Sequence, residues 1–190
     1  MKPVFEKIRC LAKPYLHTRQ NEVHTAISTE IAYKLIKAEG GEEDIVIPAI
    51  ILHDVGWQKI PVSLQSMAFG PKATKLRLNR MHEVEGAKIA KEILEKINYD
   101  PDKTDRITRI IEGHDSREKA ISINDMIVKD ADKLWRYSKS GFYIDIERFE
   151  ETVDEGLNRL RKNLSNWFYT ETAKAMAAAM VKNREGEKVS

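Results

Sequence analysis

Cysteine is almost missing from the 190-residue chain, with Cys10 its single instance. An internal disulfide and a cysteine-based zinc knuckle are therefore excluded. Neither sign of charge is in excess. The 32 Lys and Arg against 30 Asp and Glu leave a net charge of +2, so the broad positive field expected of a duplex nucleic-acid binder is absent. A local basic rim for a small anionic substrate is compatible with that balance. No apolar run approaches the roughly 18 residues of a membrane-spanning helix. No long apolar segment follows the N-terminal lysines either, so neither a membrane anchor nor a signal peptide is read, and the cytoplasm is the simplest location. Walker A, GxGxxG and GxSxG patterns do not occur, which removes support for P-loop, Rossmann and serine-hydrolase chemistry. Strand-like alternation is also missing, and every apolar segment has a period near 3.6. One all-α domain is expected.

What is present centres on Ile47-Pro48-Ala49-Ile50-Ile51-Leu52-His53-Asp54-Val55-Gly56. This apolar run ends in an adjacent His-Asp pair, which packing does not explain. A carboxylate leaving a buried turn is costly unless it is paired or coordinates a metal. The spacing predicts helices over 3–20, 22–38, 44–55 (with Pro48 in the first turn), 81–97, 103–115, 122–137, 145–162 and 170–183. Gly40-Gly41 stops the second, and the chain after 183 reads as a frayed tail. Residues 56–80 read as a long irregular connection punctuated by Gly56, Pro61, Gly70 and Pro71. Loops of that length are often functional. Lys59, Lys72, Lys75, Arg77 and Arg80 make it either a solvated basic loop or the rim of an anionic-substrate site.

Ligand-type side chains then recur on the inner stripes. His24 shares one with Ile27, Ile31 and Leu35, and His82 one with Gly86, Ile89 and Ile93. His114 follows Ile107, Ile110 and Ile111, while Asp130 follows Ile123, Met126 and Ile127. Only five histidines exist in the chain, and four sit this way. One buried histidine is ordinarily a hydrogen-bonded core residue. Four, with Asp54 and Asp130, need a shared partner, and metal is the most economical one. Asp115 reads first as a cap and otherwise as a base next to the ligands, Trp57 and Trp135 as core or pocket wall ahead of stacking on a nucleobase, and Ser138, Ser140 and Gly141 as a candidate phosphate-facing turn. The Ala- and Met-rich 173–181 stretch is a candidate homodimer face, with a closing core helix the simpler reading.

The order His24, His53-Asp54, Asp130 resembles the HD-domain superfamily of metal-dependent phosphohydrolases, whose signature is H…HD…D on an all-α bundle. The resemblance covers roughly 20–138, with helices at 145–183 completing a single domain. "HDVGWQKIP", "HEVEGA" and "EGHD" are similar to stretches of its dinuclear subgroup, including HD-GYP cyclic-dinucleotide phosphodiesterases. Trp57 stands where that subgroup has a lysine, and His114-Asp115-Ser116-Arg117 replaces its Gly-Tyr-Pro segment. "DADKL" matches the last ligand, which implies Asp130 as the ligand and Asp132 and Lys133 as neighbours. The resemblance thus implies two divalent ions (Fe, Mn or another transition metal) held by His24, His53, Asp54, His82, His114 and Asp130, with His53 and Asp54 at the catalytic centre. It implies hydrolysis of a phosphoester or phosphoanhydride in a nucleotide or other small phosphorylated metabolite. Two rival readings stand beside it: an HD-fold di-iron oxygenase with a similar ligand set, cleaving a C–C or C–P bond, and a non-catalytic metal-binding sensor with a degenerate site, against which the intact ligand set argues.

Overall fold

A computed structural model of the chain describes residues 1–65, 67–68, 70 and 73–186, and no strand occurs among them. The helices are α1 (Pro3–Ala12), α2 (Asn21–Glu39), α3 (Glu43–Leu52), α4 (Val62–Gln65), α5 (Leu76–Lys96), α6 (Pro101–Ile111), α7 (Ile123–Leu134), α8 (Lys139–Phe149), α9 (Val153–Asn163) and α10 (Glu171–Gly186). Short 3₁₀ turns cover Lys13–Tyr15, Val55–Lys59 and Trp135–Tyr137. The all-α expectation holds. No helix among the described residues is long and apolar enough to cross a membrane.

Helix α3 is the axis of the bundle. Every residue from Ile45 to Leu52 is buried, so the helix is apolar all round and must be surrounded. Helices α1, α2, α6 and α7 pack on it. Fully burying each of its large aliphatic side chains is worth about 1.5–3 kcal/mol, which offsets the cost of burying the polar pair at its end. Pro48 falls inside the helix rather than in its first turn. It cannot donate to the Asp44 carbonyl four residues back, and the Tyr99 hydroxyl donates to that oxygen instead at 2.8 Å. The kink penalty is thereby reduced by a side chain from the turn between α5 and α6.

Helix α2 ends where Gly40 takes φ +80°, with its N–H donating to the Ile36 carbonyl at 2.9 Å, a left-handed stop that glycine accepts without a Cβ clash. The 56–80 connection is less irregular than expected. It contains the 3₁₀ turn and α4, and α5 begins at Leu76, five residues before the apolar stripe becomes visible. Helix 145–162 is two helices. Glu150 adopts φ +55° and ends α8, and a Thr152–Glu155 capping box starts α9. Helix α10 turns Ala173, Ala177 and Val181 into the core, the closing-helix arrangement. The tail beyond 186 lies outside the described residues.

Candidate metal centre

Four of the five histidines converge. His24 comes from the first turn of α2, His53 from the end of α3, His82 from α5 and His114 from the turn after α6; all are between 0% and 5% exposed. They form two pairs. His24 Nε2 lies 2.9 Å from His53 Nε2, and His82 Nε2 lies 3.1 Å from His114 Nε2. Asp54 sits between the pairs with one oxygen turned to each. Its Oδ2 is 3.7 Å from His53 Nε2 and 4.0 Å from His24 Nε2, while its Oδ1 is 3.7 Å from both His82 Nε2 and His114 Nε2. The Trp57 indole N–H donates to Oδ1 at 2.9 Å and fixes the carboxylate.

The ring orientations suit metal binding. A carbonyl can only accept, so His53 Nδ1 donates to the Ile50 carbonyl and His114 Nδ1 to that of Ile111, each at 2.8 Å. When neutral, both rings present Nε2 lone pairs to the interior, the arrangement that outer hydrogen bonds enforce on metal-ligating histidines. Nitrogens bound at about 2.0–2.1 Å to one ion and at right angles would lie about 3 Å apart, matching both pair distances. The His/Asp donor set also suits borderline transition metals. Three overlapping groups can each hold an ion: His24, His53 and Asp132; His53, Asp54 and His114; His82, His114 and Asp115.

The aspartate from α7 is not the expected one. Asp132 Oδ1 is 3.2 Å from His24 Nε2 and 3.5 Å from His53 Nε2. Asp130 instead accepts from Tyr169 N (2.8 Å), Thr170 N (2.9 Å) and Thr170 Oγ1 (2.7 Å), tying α7 to the start of α10. Two positions apart on a helix is about 200° of rotation, so the two carboxylates leave opposite sides of α7. Both are buried because α7 is enclosed by α2 and α3 on one side and α10 on the other. The apolar stripe misled the assignment: Ile123, at its start, is exposed. The site-facing stripe is polar, with Asp125, Lys129 and Asp132 at i, i+4, i+7, and that spacing is the signal that could have found it.

Asp115 also belongs to the centre and is not a cap. Its Oδ2 lies 3.8 Å from His82 Nε2 and 3.9 Å from His114 Nε2. Lys133 Nζ bridges Asp115 Oδ1 at 2.5 Å and Asp132 Oδ2 at 2.9 Å. The turn carrying His114 and Asp115 is clamped from both sides. Buried Glu83 accepts from Asp115 N, Ser116 N and Ser116 Oγ. Buried Lys129 donates to the carbonyls of Gly113, His114 and Arg117. Close backbone contact aligns α5: a Cβ on Gly56 would overlap the His82 carbonyl oxygen, so only glycine lets His82 approach Asp54. Ser138 caps α8, accepting from Gly141 N at 3.1 Å, and its turn is structural.

The basic segment is more scattered. Lys59, Lys75 and Arg77 are exposed, and Lys72 lies outside the described residues. Arg80 pairs with Glu83 and with the side chain and carbonyl of Glu112. None of these four described residues contacts the histidines or carboxylates of the centre.

Comparison with known proteins identifies the family. The HD domain family model matches residues 22–137. The chain belongs to the HD-domain family. A crystal structure described as that of a predicted HD superfamily hydrolase, from an uncultured Thermotogales bacterium, is similar in fold: TM-score 0.62 and 19% identity, over 97% of this chain and 86% of that one. No match was found among curated proteins.

The charges in this HD domain's centre are strongly coupled. Burial works against the His114 imidazolium, yet Asp54 and Asp115 raise it to about 9. Burial and His114 push His82 down to about 4, and burial also lowers His24. Metal-free protein at neutral pH therefore holds a proton on His114 that a bound ion must displace. His114 is raised above its unfolded value near 6.5. Its contribution to the stability of the metal-free fold is thus complete below about 6.5 and disappears as pH rises through about 9. Metal uptake at pH 7 should release protons, seen as calorimetric heats that scale with buffer ionisation enthalpy, and affinity should climb towards pH 9. Buffer-independent heats would remove the imidazolium from the metal-free state.

Proposed function

We propose that the protein is a metal-dependent phosphohydrolase acting on a phosphoester or phosphoanhydride of a nucleotide or small phosphorylated metabolite. The observation that carries this reading is Asp54, which offers one oxygen to each of two histidine pairs. Such a carboxylate suits two neighbouring ions, with His24, His53 and Asp132 on one side and His82, His114 and Asp115 on the other. Divalent ions there would polarise a phosphoryl oxygen and lower the pKa of water to near neutrality.

The protein's own residues fix the rest. Trp57 orients Asp54. The Ile50 and Ile111 carbonyls hold His53 and His114 in one tautomer. Lys133 keeps Asp115 and Asp132 at a set separation. The side chains that converge on the centre are imidazoles and carboxylates, and the nucleophile in this reading is water. Asp115, half-buried, lies beside the second histidine pair, and although burial opposes ionisation, Lys133 and His114 hold its carboxyl well below the usual range.

Metal analysis of the purified protein, then anaerobic assay of phosphoesters with Mn²⁺ or Fe²⁺, tests the reading. The expected result is about two equivalents of metal and oxygen-independent turnover. Substrate-dependent oxygen consumption with iron bound would hand the site to oxygenase chemistry, and metal binding with no turnover of any kind would make it a sensor.

A further inference from the structure

Three arginines outside the metal-ligating set share the same neighbourhood. Two buried tryptophans each flank one histidine, with one guanidinium over the first and two over the second. Trp57 stacks on His82, with ring centroids 4.1 Å apart and 14° between planes, and Arg19 Cζ lies 3.9 Å from the Trp57 ring centre. Trp135 lies against His24 at 4.6 Å, with Arg136 Cζ at 5.6 Å and Arg148 Cζ at 6.0 Å from its ring. The arginines are built in rather than solvated. Buried Asp145 accepts from Arg136 Nη1 at 2.6 Å and from Arg148 Nη1 at 3.1 Å, and Arg159 Nη1 lies 3.7 Å from the same carboxylate. Arg148 Nη2 also donates to the Arg19 carbonyl at 2.7 Å. That contact pins a loop in which Arg19 and Gln20 both take positive φ, 59° and 56°, a conformation uncommon for such side chains.

The three charges act on one another and on the centre. Burial pushes the Arg19 guanidinium down to about 10, with Arg148 and Arg136 acting in the same direction and Asp54 and Asp115 against it. Burial opposes the charge on Arg136, but Asp145 and then Asp132 raise it; burial lowers Arg148, with Asp145 and Asp54 acting against it and Arg136 with it. Mutually repelling guanidiniums held rigidly beside a site are a pre-organised receptor for planar or tetrahedral oxyanions.

We propose that Arg19, Arg136 and Arg148 form the anion-recognition side of the centre and select a terminal, dianionic phosphate. The substrate class is then phosphomonoesters and terminal phosphoanhydrides, while phosphodiesters, with one negative charge and two substituents on phosphorus, are poor substrates. This assignment rests on the phosphohydrolase reading and narrows it. It also places the recognising cations on α2's entry loop, the Trp135 turn and α8 rather than on the 59–80 segment.

The test uses wild type, Arg19→Met, Arg148→Met and the charge-retaining Arg136→Lys. Inorganic phosphate binding is measured by calorimetry at low ionic strength, with and without Mn²⁺, alongside metal content and circular dichroism. Turnover of p-nitrophenyl phosphate is compared with that of bis(p-nitrophenyl) phosphate, which has the same leaving group. Arg19→Met should weaken phosphate binding at least tenfold at unchanged metal content, and the monoester preference of wild type should collapse with it. Arg136→Lys should retain more affinity than Arg148→Met. Arg19→Met leaves the Asp145 contacts intact, so it keeps the test valid if Arg148→Met does not fold. Phosphate affinity and monoester preference unchanged in a folded Arg19→Met would overturn the proposal, as would a wild type that prefers the diester. If no phosphoester is turned over at all, the hydrolase reading fails, and phosphate affinity alone still decides whether these arginines recognise the anion.

Discussion

Asp54→Asn should lower kcat by about 10³ or more, equivalent to about 4 kcal/mol, and cut bound metal to less than one equivalent per chain. The carboxylate faces imidazoles on both sides, with Oδ2 towards His24 and His53 and Oδ1 towards His82 and His114. An amide has one acceptor oxygen. The Trp57 N–H selects the orientation that keeps this oxygen at Oδ1, so the NH₂ group then points at the His24–His53 pair and presents hydrogens where a lone pair is needed. The charge is lost as well. Although burial opposes ionisation, His53, His114, His24 and Arg19 together hold Asp54 well below the usual carboxylate range, so its anionic form is matched to this position. Without that anion, the His114 imidazolium loses a main support and its raised value near 9 should fall. Emission spectrometry, single-turnover kinetics and an imidazole titration would read all three effects. Two equivalents of metal retained, with kcat within tenfold of wild type, would refute the bridging role.

The bundle was largely legible in the sequence because its helices advertise themselves. Helix α3 is a continuous apolar run, and Gly40 marks the end of α2. The adjacent His53-Asp54 pair and the inward stripes of His24, His82 and His114 were equally visible, since histidine is scarce in this chain. Three kinds of feature were hidden. The start of α5 at Leu76 carries no apolar stripe of its own, so it read as loop. The Asp44 carbonyl freed by Pro48 is satisfied by Tyr99, 55 residues away, a tertiary contact that no local pattern encodes. The roles of Glu83, Lys129 and Arg19 were concealed by composition, because in a chain that is 33% charged any one charged residue reads as solvated surface. Burial of Glu83 and Lys129 is the fact that separates them, and a sequence does not display it.

The two aspartates of α7 give the sharpest contrast. Asp132→Asn should lose metal at the His24–His53 pair and lower kcat by at least 10², at nearly unchanged helicity. Its carboxylate lies 3.2 and 3.5 Å from the two Nε2 atoms and accepts from Lys133 at 2.9 Å, so the change removes a charged donor from the centre and a partner from the lysine. Asp130→Asn should do the reverse. Its two oxygens accept three hydrogen bonds from Tyr169 and Thr170, and Thr170 in turn caps α10 through Ala173 N at 3.2 Å. An amide can serve only one side of that cradle, and its NH₂ would face a backbone or hydroxyl donor. The cost of one such unsatisfied buried group is about 1–3 kcal/mol, read as a lower midpoint in urea or heat. Metal stoichiometry should remain at the wild-type value, because Asp130 has no contact with the histidines. Burial already raises the Asp130 carboxyl, although Tyr169 and Thr170 oppose this, so the charge itself contributes less here than the shape of the acceptor. Loss of metal from folded Asp130→Asn, together with full loading of Asp132→Asn, would return the ligand role to Asp130.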